Sequence, residues 1–270
     1  MNIVSNGVNY NVRIVGQGEP LLLLHGFTGS IGNWDELIKG FETKFTCVLV
    51  DIIGHGKTDS PSNYERYSIE TVAKDIIMIL DSLHFKKVNV LGYSMGGRLA
   101  LALALLYQER VSSLILESSS PGLRNEEERE SRIELDRILA NMIEEKGIKE
   151  FVSHWEGIPL FASQKRLSVE KRDNIRSQRL RNNPLGLANS LRGMGTGSQP
   201  SYWEQLSTLS VPTLLICGEF DSKFCLLADN MSKTIPNATV KKIKDAGHAI
   251  HVELPEIFGK IVIEFVFDQI

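Results

Sequence analysis

The stretch Val88-Asn89-Val90-Leu91-Gly92-Tyr93-Ser94-Met95-Gly96-Gly97 decides the fold predicted for this chain. Its first four residues form a short, largely apolar run that predicts a buried strand, and residues 99–107 have the composition of a helix. Between them lies the pattern G-x-S-x-G, which is typical of a nucleophile elbow when a strand precedes it and a helix follows it. The sequence therefore predicts a reactive serine, Ser94, at the carboxyl end of a strand.

A serine hydroxyl needs partners, because it is a weak nucleophile or base at neutral pH until a histidine oriented by an acid activates it. Behind an elbow of this kind the chain order is serine, acid, histidine. Asp221 follows a predicted strand at residues 211–217, and His248 follows one at residues 239–244. Since functional groups gather at the carboxyl ends of parallel strands, we expect Ser94, Asp221 and His248 to lie together.

Other residues compete for these roles. The rival acids are Glu219 and Asp245, of which Asp245 shares the loop of His248 and is better explained as a turn residue. The remaining histidines are His25, His55, His84, His154 and His251. His251 follows His248 by three residues, but no carboxylate-rich set of partners accompanies the pair, so we expect no metal site.

A glycine turn, His25-Gly26-Phe27, follows the first predicted buried strand at residues 21–24. Its place suits the backbone N–H of Phe27 for donation to a developing oxyanion, together with the N–H of Met95 directly after the serine. Backbone donors held by such turns do not reorganise as charge develops, so Phe27 and Met95 are the predicted oxyanion hole.

Strands and helices alternate along most of the chain. The predicted strands cover residues 21–24, 46–50, 88–91, 111–116, 211–217 and 239–244, and the predicted helices 34–41, 69–83, 99–107, 224–235 and 256–266. This alternation predicts an α/β fold with a mostly parallel central sheet and helices on both faces. Asn6-Gly7 predicts a hairpin turn between two further short strands near the N-terminus.

The alternation stops between residues 121 and 200, where we find no convincing strand. Residues 129–148 and 169–180 have amphipathic, highly charged helical patterns, and residues 193–198 form a glycine-rich hinge. We therefore predict an α/β core of residues 1–120 and 201–270, interrupted by a helical cap insertion of residues 121–200.

The composition excludes several functional classes. The 270 residues carry a formal charge of −3 with no basic block, which argues against a nucleic-acid partner. Three cysteines predict no disulfide framework, and no run approaches the roughly 18 apolar residues of a membrane span. Gly56-Lys57-Thr58 lacks the earlier glycine of a phosphate loop, and no cofactor is expected. Without a signal-peptide pattern at residues 1–18, a cytoplasmic location is expected.

The arginines are unevenly distributed, since ten of 14 lie in residues 121–200. That segment has 14 basic against 12 acidic side chains, a net +2, whereas the rest has 16 against 21, a net −5. Most of these arginines are explained by a solvated helix face paired with nearby glutamates. Arg98 differs, because a cation in the first turn of the elbow helix opposes the helix dipole, and such an unfavourable placement indicates a functional role.

With these residues in place, the chain resembles the α/β-hydrolase superfamily over essentially its full length. The motifs that match are His25-Gly26-Phe27, Asp51 to Gly56, the elbow, the Asp221 loop and Gly247-His248. More narrowly, it is similar to the 2-succinyl-6-hydroxy-2,4-cyclohexadiene-1-carboxylate synthases, lyases of menaquinone biosynthesis. That likeness rests on Gly92 to Arg98, Ser120-Pro121-Gly122-Leu123 followed by Glu127-Glu128-Arg129 and Arg132, Phe151 to Trp155 with Pro159-Leu160-Phe161, and Gly218 to Phe224.

The resemblance implies a role for each matching residue. Ser94, Asp221 and His248 form the implied triad, with Phe27 and Met95 as the oxyanion hole. The implied substrate-binding residues are Tyr93, Arg98, Arg132, Trp155 and an arginine near the end of the insertion, taken as Arg181. Arg176 and Arg179 crowd the same stretch and remain alternatives to Arg181.

The implied substrate is a small molecule with several carboxylates, for which arginines are bidentate partners. The implied reaction removes a proton beside the succinyl ketone and expels pyruvate, with Ser94 acting as a base through His248. A serine hydrolase, either a carboxylesterase or a carbon–carbon bond hydrolase, would use the same triad and is the main alternative. A non-catalytic binding protein is less favoured, because every part of the triad and the oxyanion turn is present.

Overall fold

An eight-stranded sheet is the centre of the computed structural model, which describes residues 1–267. The strands are β1 (Asn2–Ser5), β2 (Val8–Val15), β3 (Glu19–Leu24), β4 (Phe45–Val50), β5 (Val88–Tyr93), β6 (Val111–Glu117), β7 (Thr213–Gly218) and β8 (Ala238–Ile243). The α-helices are α1 (Asp35–Phe41), α2 (Ile69–Ser82), α3 (Met95–Leu106), α4 (Glu126–Gly157), α5 (Val169–Leu180), α6 (Pro184–Met194), α7 (Ser222–Ser232), α8 (Ile250–Glu253) and α9 (Pro255–Phe267).

The strand order is β1-β2-β4-β3-β5-β6-β7-β8. β1, β2 and β4 pair antiparallel, and every pair from β4 through β3 to β8 is parallel, as the alternation predicted. The predicted hairpin is also confirmed, since Asn6 and Gly7 both have positive φ, at 46° and 75°. The α/β fold with a mostly parallel sheet is therefore confirmed.

The apolar run in β3 is continuous because both faces of the sheet are covered. Leu22 and Leu24 belong to a core with α2, α3 and α7, whereas Leu21 and Leu23 pack on the opposite face with α1 and α9. Side chains alternate between the two faces of a strand, so a strand buried on both sides needs apolar residues at every position. This arrangement places the carboxyl ends of β5, β6, β7 and β8 side by side.

The segment between β6 and β7 contains α4, α5 and α6 and no strand within the described residues. Two details differ from the sequence prediction. α4 runs on to residue 157 across a kink at Gly147, where φ is 81°, a conformation that glycine adopts without strain. α6 was not predicted, and Gly193 of the expected hinge lies inside it.

The apolar face of α6 explains why its pattern was missed. Leu187, Ala188 and Leu191 bury against Ala140 and Ile143 of α4, so tertiary packing stabilises a helix of low intrinsic propensity. Asn183 caps the first turn, in which Pro184 is the first residue. Within residues 1–267 no helix has both the length and the apolar character needed to cross a bilayer.

We expect Gly96→Ala to lower the free energy of unfolding by about 2 kcal/mol, because the added methyl group would overpack a closed interface. A Cβ at Gly96 would lie 2.1 Å from the carbonyl oxygen of Leu24. The matched control is Gly40→Ala in α1, where a Cβ meets no atom within 4 Å and helix propensity favours alanine. Urea unfolding of both variants is the measurement, and equal stability of Gly96→Ala and wild type would contradict the packing argument.

Candidate active site

Ser94 lies in a strained turn between β5 and α3, with φ 52° and ψ −107°. The turn is possible because α3 approaches the sheet closely at Gly92 and Gly96, where any side chain would collide with backbone. The N–H of Ser94 donates to the carbonyl oxygen of Glu117 at 2.9 Å, which ties the turn to the end of β6. A side chain held in such a sparsely populated conformation is typical of a functional site.

The structure brings Ser94, His248 and Asp221 into one hydrogen-bonded row. The Nε2 atom of His248 lies 3.0 Å from the Oγ atom of Ser94, and its Nδ1 atom lies 2.6 Å from Oδ2 of Asp221. Because a carboxylate only accepts, Nδ1 carries the proton and Nε2 is free to accept from the serine hydroxyl. The rival acids Glu219 and Asp245 are both exposed.

Phe27 and Met95 lie on either side of this serine, and both line its cavity. Met95 is the first residue of α3, so its N–H has no partner inside the helix. Among residues 1–267, no acceptor is found for the N–H of Phe27 either. Two unpaired backbone donors beside Ser94 fit the predicted oxyanion hole, which stays a prediction.

His25 holds the turn that carries Phe27. Its Nε2 atom accepts the N–H of Ile52 at 3.0 Å, and its Nδ1 atom donates to the carbonyl oxygen of Gly26 at 2.8 Å. Burial lowers the pKa of His25 to about 4, so the ring is neutral and keeps this tautomer near neutral pH. His25 is therefore a structural residue and does not compete with His248.

A cavity of about 230 Å³ opens above Ser94 and His248. Its lining is aromatic and basic, and includes Phe27, Tyr93, Trp155, Phe161, Phe224, Arg98, Arg132 and Lys223. Phe161 and Phe224 were not predicted as site residues, although both lie in the motifs that carried the resemblance. Their rings pack on His248, with centroids 6.1 Å and 4.7 Å away, and shield it from water.

Arg98 is a buried cation that faces this cavity. Its Nη1 atom donates to the carbonyl oxygen of Met194 at 2.7 Å and to the side-chain oxygen of Gln199. Both acceptors are neutral, and no carboxylate forms an ion pair with Arg98 within residues 1–267. Burial, helped by the nearby charge of Arg132, lowers the pKa of Arg98 to about 10. The guanidinium remains charged at pH 7, and the nearby carboxylate of Asp136 opposes the fall in its pKa without forming a direct ion pair with it.

Arg132 is held in place by a buried acid. Its Nε atom donates to Oδ1 of Asp136 at 2.9 Å, while the other carboxylate oxygen of Asp136 has no hydrogen-bond partner among the residues that the structure describes. Burial raises the pKa of Asp136, and Arg132 opposes that rise. Arg98, Arg132 and Asp136 together carry a net positive charge beside the cavity.

Tyr93 and Trp155 both lie where the sequence analysis expected them, in the cavity wall. The ring of Tyr93 lies between His248 and His251, at centroid distances of 5.4 Å and 4.6 Å. Trp155 packs edge-on against Phe27 at 5.3 Å, and its buried indole N–H finds no partner in the described part of the chain. An unpaired buried donor in a cavity wall is available to a ligand.

Arg181 is not brought to the site, because it is exposed beyond the last residue of α5. Arg179 is the buried arginine of this stretch. It lies over the ring of Phe161 at 4.8 Å and lines a narrow cleft that also contacts Phe27 and Tyr93. The helical repeat in the sequence could have identified Arg179. It follows the half-buried Ile175 by four residues and therefore lies on the same inward face of α5.

Arg176 is half-buried. It pairs with Glu156, which also lies 3.5 Å from Arg179, and it donates to Oγ of Ser153 at 3.0 Å. Within residues 1–267, no three His, Cys, Asp or Glu side chains gather where a metal ion could be held.

Several known proteins are similar to this chain in sequence and fold. A family model described as alpha/beta hydrolase fold matches residues 19–255. A Bacillus subtilis (strain 168) protein, named provisionally as a 2-succinyl-6-hydroxy-2,4-cyclohexadiene-1-carboxylate synthase, is 49% identical and covers 97% of this chain and 96% of its own. A Salmonella heidelberg (strain SL476) protein with that synthase name is 32% identical, covering 88% and 90%.

Among solved structures, that of MenH from S. aureus is 36% identical, with a TM-score of 0.91 over 96% of this chain and 98% of that chain. The matched family model spans most of the described sheet and its helices. The chain therefore belongs to the alpha/beta hydrolase fold family, as its motifs indicated.

Proposed function

We propose that the protein is a lyase of menaquinone biosynthesis. It eliminates pyruvate from 2-succinyl-5-enolpyruvyl-6-hydroxy-3-cyclohexene-1-carboxylate to give 2-succinyl-6-hydroxy-2,4-cyclohexadiene-1-carboxylate. The observation that carries the proposal is the buried guanidinium of Arg98, which forms no direct ion pair within residues 1–267, in the cavity wall beside Ser94 and His248. A neutral ester leaves that buried charge without a direct ion-pair partner, whereas a carboxylated substrate supplies one. The full-length relatives with the synthase name support the same activity.

Three arginines are assigned to the substrate's carboxylates. Arg98 and Arg132 line the cavity itself, and Asp136 fixes the orientation of Arg132. Arg179 lies behind Phe161 and Tyr93, which border both the cavity and the adjoining cleft. A planar guanidinium binds a carboxylate with two parallel hydrogen bonds, so these residues set the orientation of the substrate as well as its affinity.

The reaction needs a base and a stabilised oxyanion. His248 takes the Ser94 proton, and the Ser94 oxygen removes the proton next to the succinyl ketone, while Asp221 holds the imidazole in its tautomer. The ketone becomes an enolate, which the N–H groups of Phe27 and Met95 stabilise. The enolate then collapses, the ring C–O bond breaks, and the released enolate of pyruvate takes up a proton.

This chemistry requires neither an acyl-enzyme nor water. We assign residues 121–200 the role of a cap that keeps water from the cavity, since Trp155 and Phe161 reach the cavity from this segment. The cytoplasmic location stays a prediction.

We expect wild-type protein to release pyruvate from the enolpyruvyl cyclohexene substrate, and Ser94→Ala to turn over at least about 10³-fold more slowly, because the base is lost. Pyruvate release and diene absorbance are the measurements. A serine hydrolase would instead give a stoichiometric burst of product from an activated ester and an acylated Ser94. An acyl-Ser94 on the productive path, or no turnover by wild type, would overturn the proposed lyase.

We expect Arg98→Gln and Arg132→Ala each to reduce kcat/KM for the carboxylated substrate by about 10- to 100-fold, the range for losing a hydrogen bond to a charged group. Hydrolysis of a small neutral ester by the same variants is the comparison, and it should change far less. Equal losses on both substrates would count against carboxylate recognition by these arginines.

Arg179 and Arg181 form a matched pair, because they are two residues apart and differ in burial. We expect Arg179→Ala to reduce kcat/KM by about tenfold or more and Arg181→Ala to leave it within about twofold. Steady-state kinetics on the carboxylated substrate decides between them. The reverse ranking would return the assignment to Arg181.

A further inference from the structure

A second buried acid–histidine pair lies beneath the candidate site. Glu117 and His251 are 0% and 1% exposed, and the mechanism above uses neither. Oε2 of Glu117 lies 2.8 Å from Nδ1 of His251, and Oε1 accepts the backbone N–H of His251 at 3.0 Å. One carboxylate therefore accepts from both the ring and the main chain of the histidine.

Glu117 also contacts the reactive serine through its main chain. It is the last residue of β6 and is paired in register with Tyr93, directly before Ser94. Its carbonyl oxygen accepts the N–H of Ser94 at 2.9 Å. The backbone of Glu117 thus holds the elbow, while its side chain holds α8, which begins two residues after His248. Glu117 therefore contacts both the segment that carries Ser94 and the segment that follows His248.

The His251 ring lies in the same aromatic row as His248. It lies between Trp34 and Tyr93, each with its centroid 4.6 Å away. The other neighbour of Tyr93 is His248, at 5.4 Å. A shift in the main chain of His251 moves the loop that carries His248, so the hydrogen bonds to Glu117, and not the ring itself, carry the constraint.

We propose that Glu117 and His251 are positioning residues that set the alignment of His248 Nε2 with the Ser94 hydroxyl. The bond between them is expected to act mainly on kcat, because a small misalignment of reacting groups slows the chemical step more than it weakens binding. The activity readout rests on the proposed lyase function. The second readout below does not.

Two substitutions of His251 separate its hydrogen bond from its ring. His251→Phe keeps an aromatic ring against Tyr93 and Trp34 but removes the Nδ1 donor. His251→Asn removes the ring but keeps a side-chain N–H near the Nδ1 position, within reach of Glu117. We measure kcat and KM for pyruvate release, and also the rate at which an alkyl phosphonofluoridate labels Ser94, both corrected for the folded fraction.

We expect kcat and the labelling rate of His251→Phe to fall together by about tenfold, with KM within about twofold. His251→Asn should stay within about threefold of wild type on both rates. The matched control is Asp75→Asn, which removes an equally buried carboxylate that accepts from Tyr10 and Asn6, away from the cavity. That variant should lower the thermal midpoint and leave the labelling rate unchanged.

Wild-type rates in folded His251→Phe, or equal losses in the Phe and Asn variants, would overturn the positioning role. If His251→Phe does not fold, Glu117→Gln takes its place. We expect the same fall in kcat and in the labelling rate for Glu117→Gln. Unchanged rates in that variant would count against the proposal. If wild type is labelled at Ser94 but releases no pyruvate, the lyase assignment fails, while the labelling rates still decide whether Glu117 and His251 position the site.

Discussion

The approach of α3 to the sheet is the constraint on which the rest of the structure depends. A Cβ at Gly96 would lie 2.1 Å from the carbonyl oxygen of Leu24, so the first turn of the helix rests directly on β3. Ser94 adopts its positive-φ conformation directly before this contact, and the N–H of Met95 lies beside the turn of Phe27. The serine, its two candidate oxyanion donors and the bond to Glu117 all follow from one close backbone contact.

Electrostatics distinguishes this site from a plain serine esterase. The cavity combines an aromatic wall with a buried cation, Arg98, whose hydrogen-bond acceptors among residues 1–267 are neutral. Burying such a charge is unfavourable until an anion binds, so under the proposed function the free energy of binding a carboxylate serves to orient the substrate. Asp136 offsets part of the positive charge and at the same time fixes Arg132, leaving a net positive cavity in a chain whose net charge is −3.

Much of the fold and the reactive centre could be predicted because their signals are local. Short apolar runs, the Asn6-Gly7 turn and the G-x-S-x-G elbow each depend on a few adjacent residues, and every predicted strand has a counterpart. α6 was missed since its stability comes from packing on α4. Arg181 was preferred over Arg179 because a crowded run of arginines carries no local signal for which one is buried. Only the position of each arginine relative to the inward face of α5 distinguishes Arg179 from Arg181.

The sequence by itself determined the α/β class through the alternation of strands and helices, and its motifs indicated the family and the candidate residues Ser94, Asp221 and His248, because these signals are local. Only the tertiary structure decided which charges meet. It paired Asp136 with Arg132, left Arg98 without a direct ion pair among residues 1–267, buried Arg179 and joined Glu117 to His251 across 134 residues. Those contacts depend on how separate elements pack, and long-range packing has no counterpart in the spacing of residues along the chain.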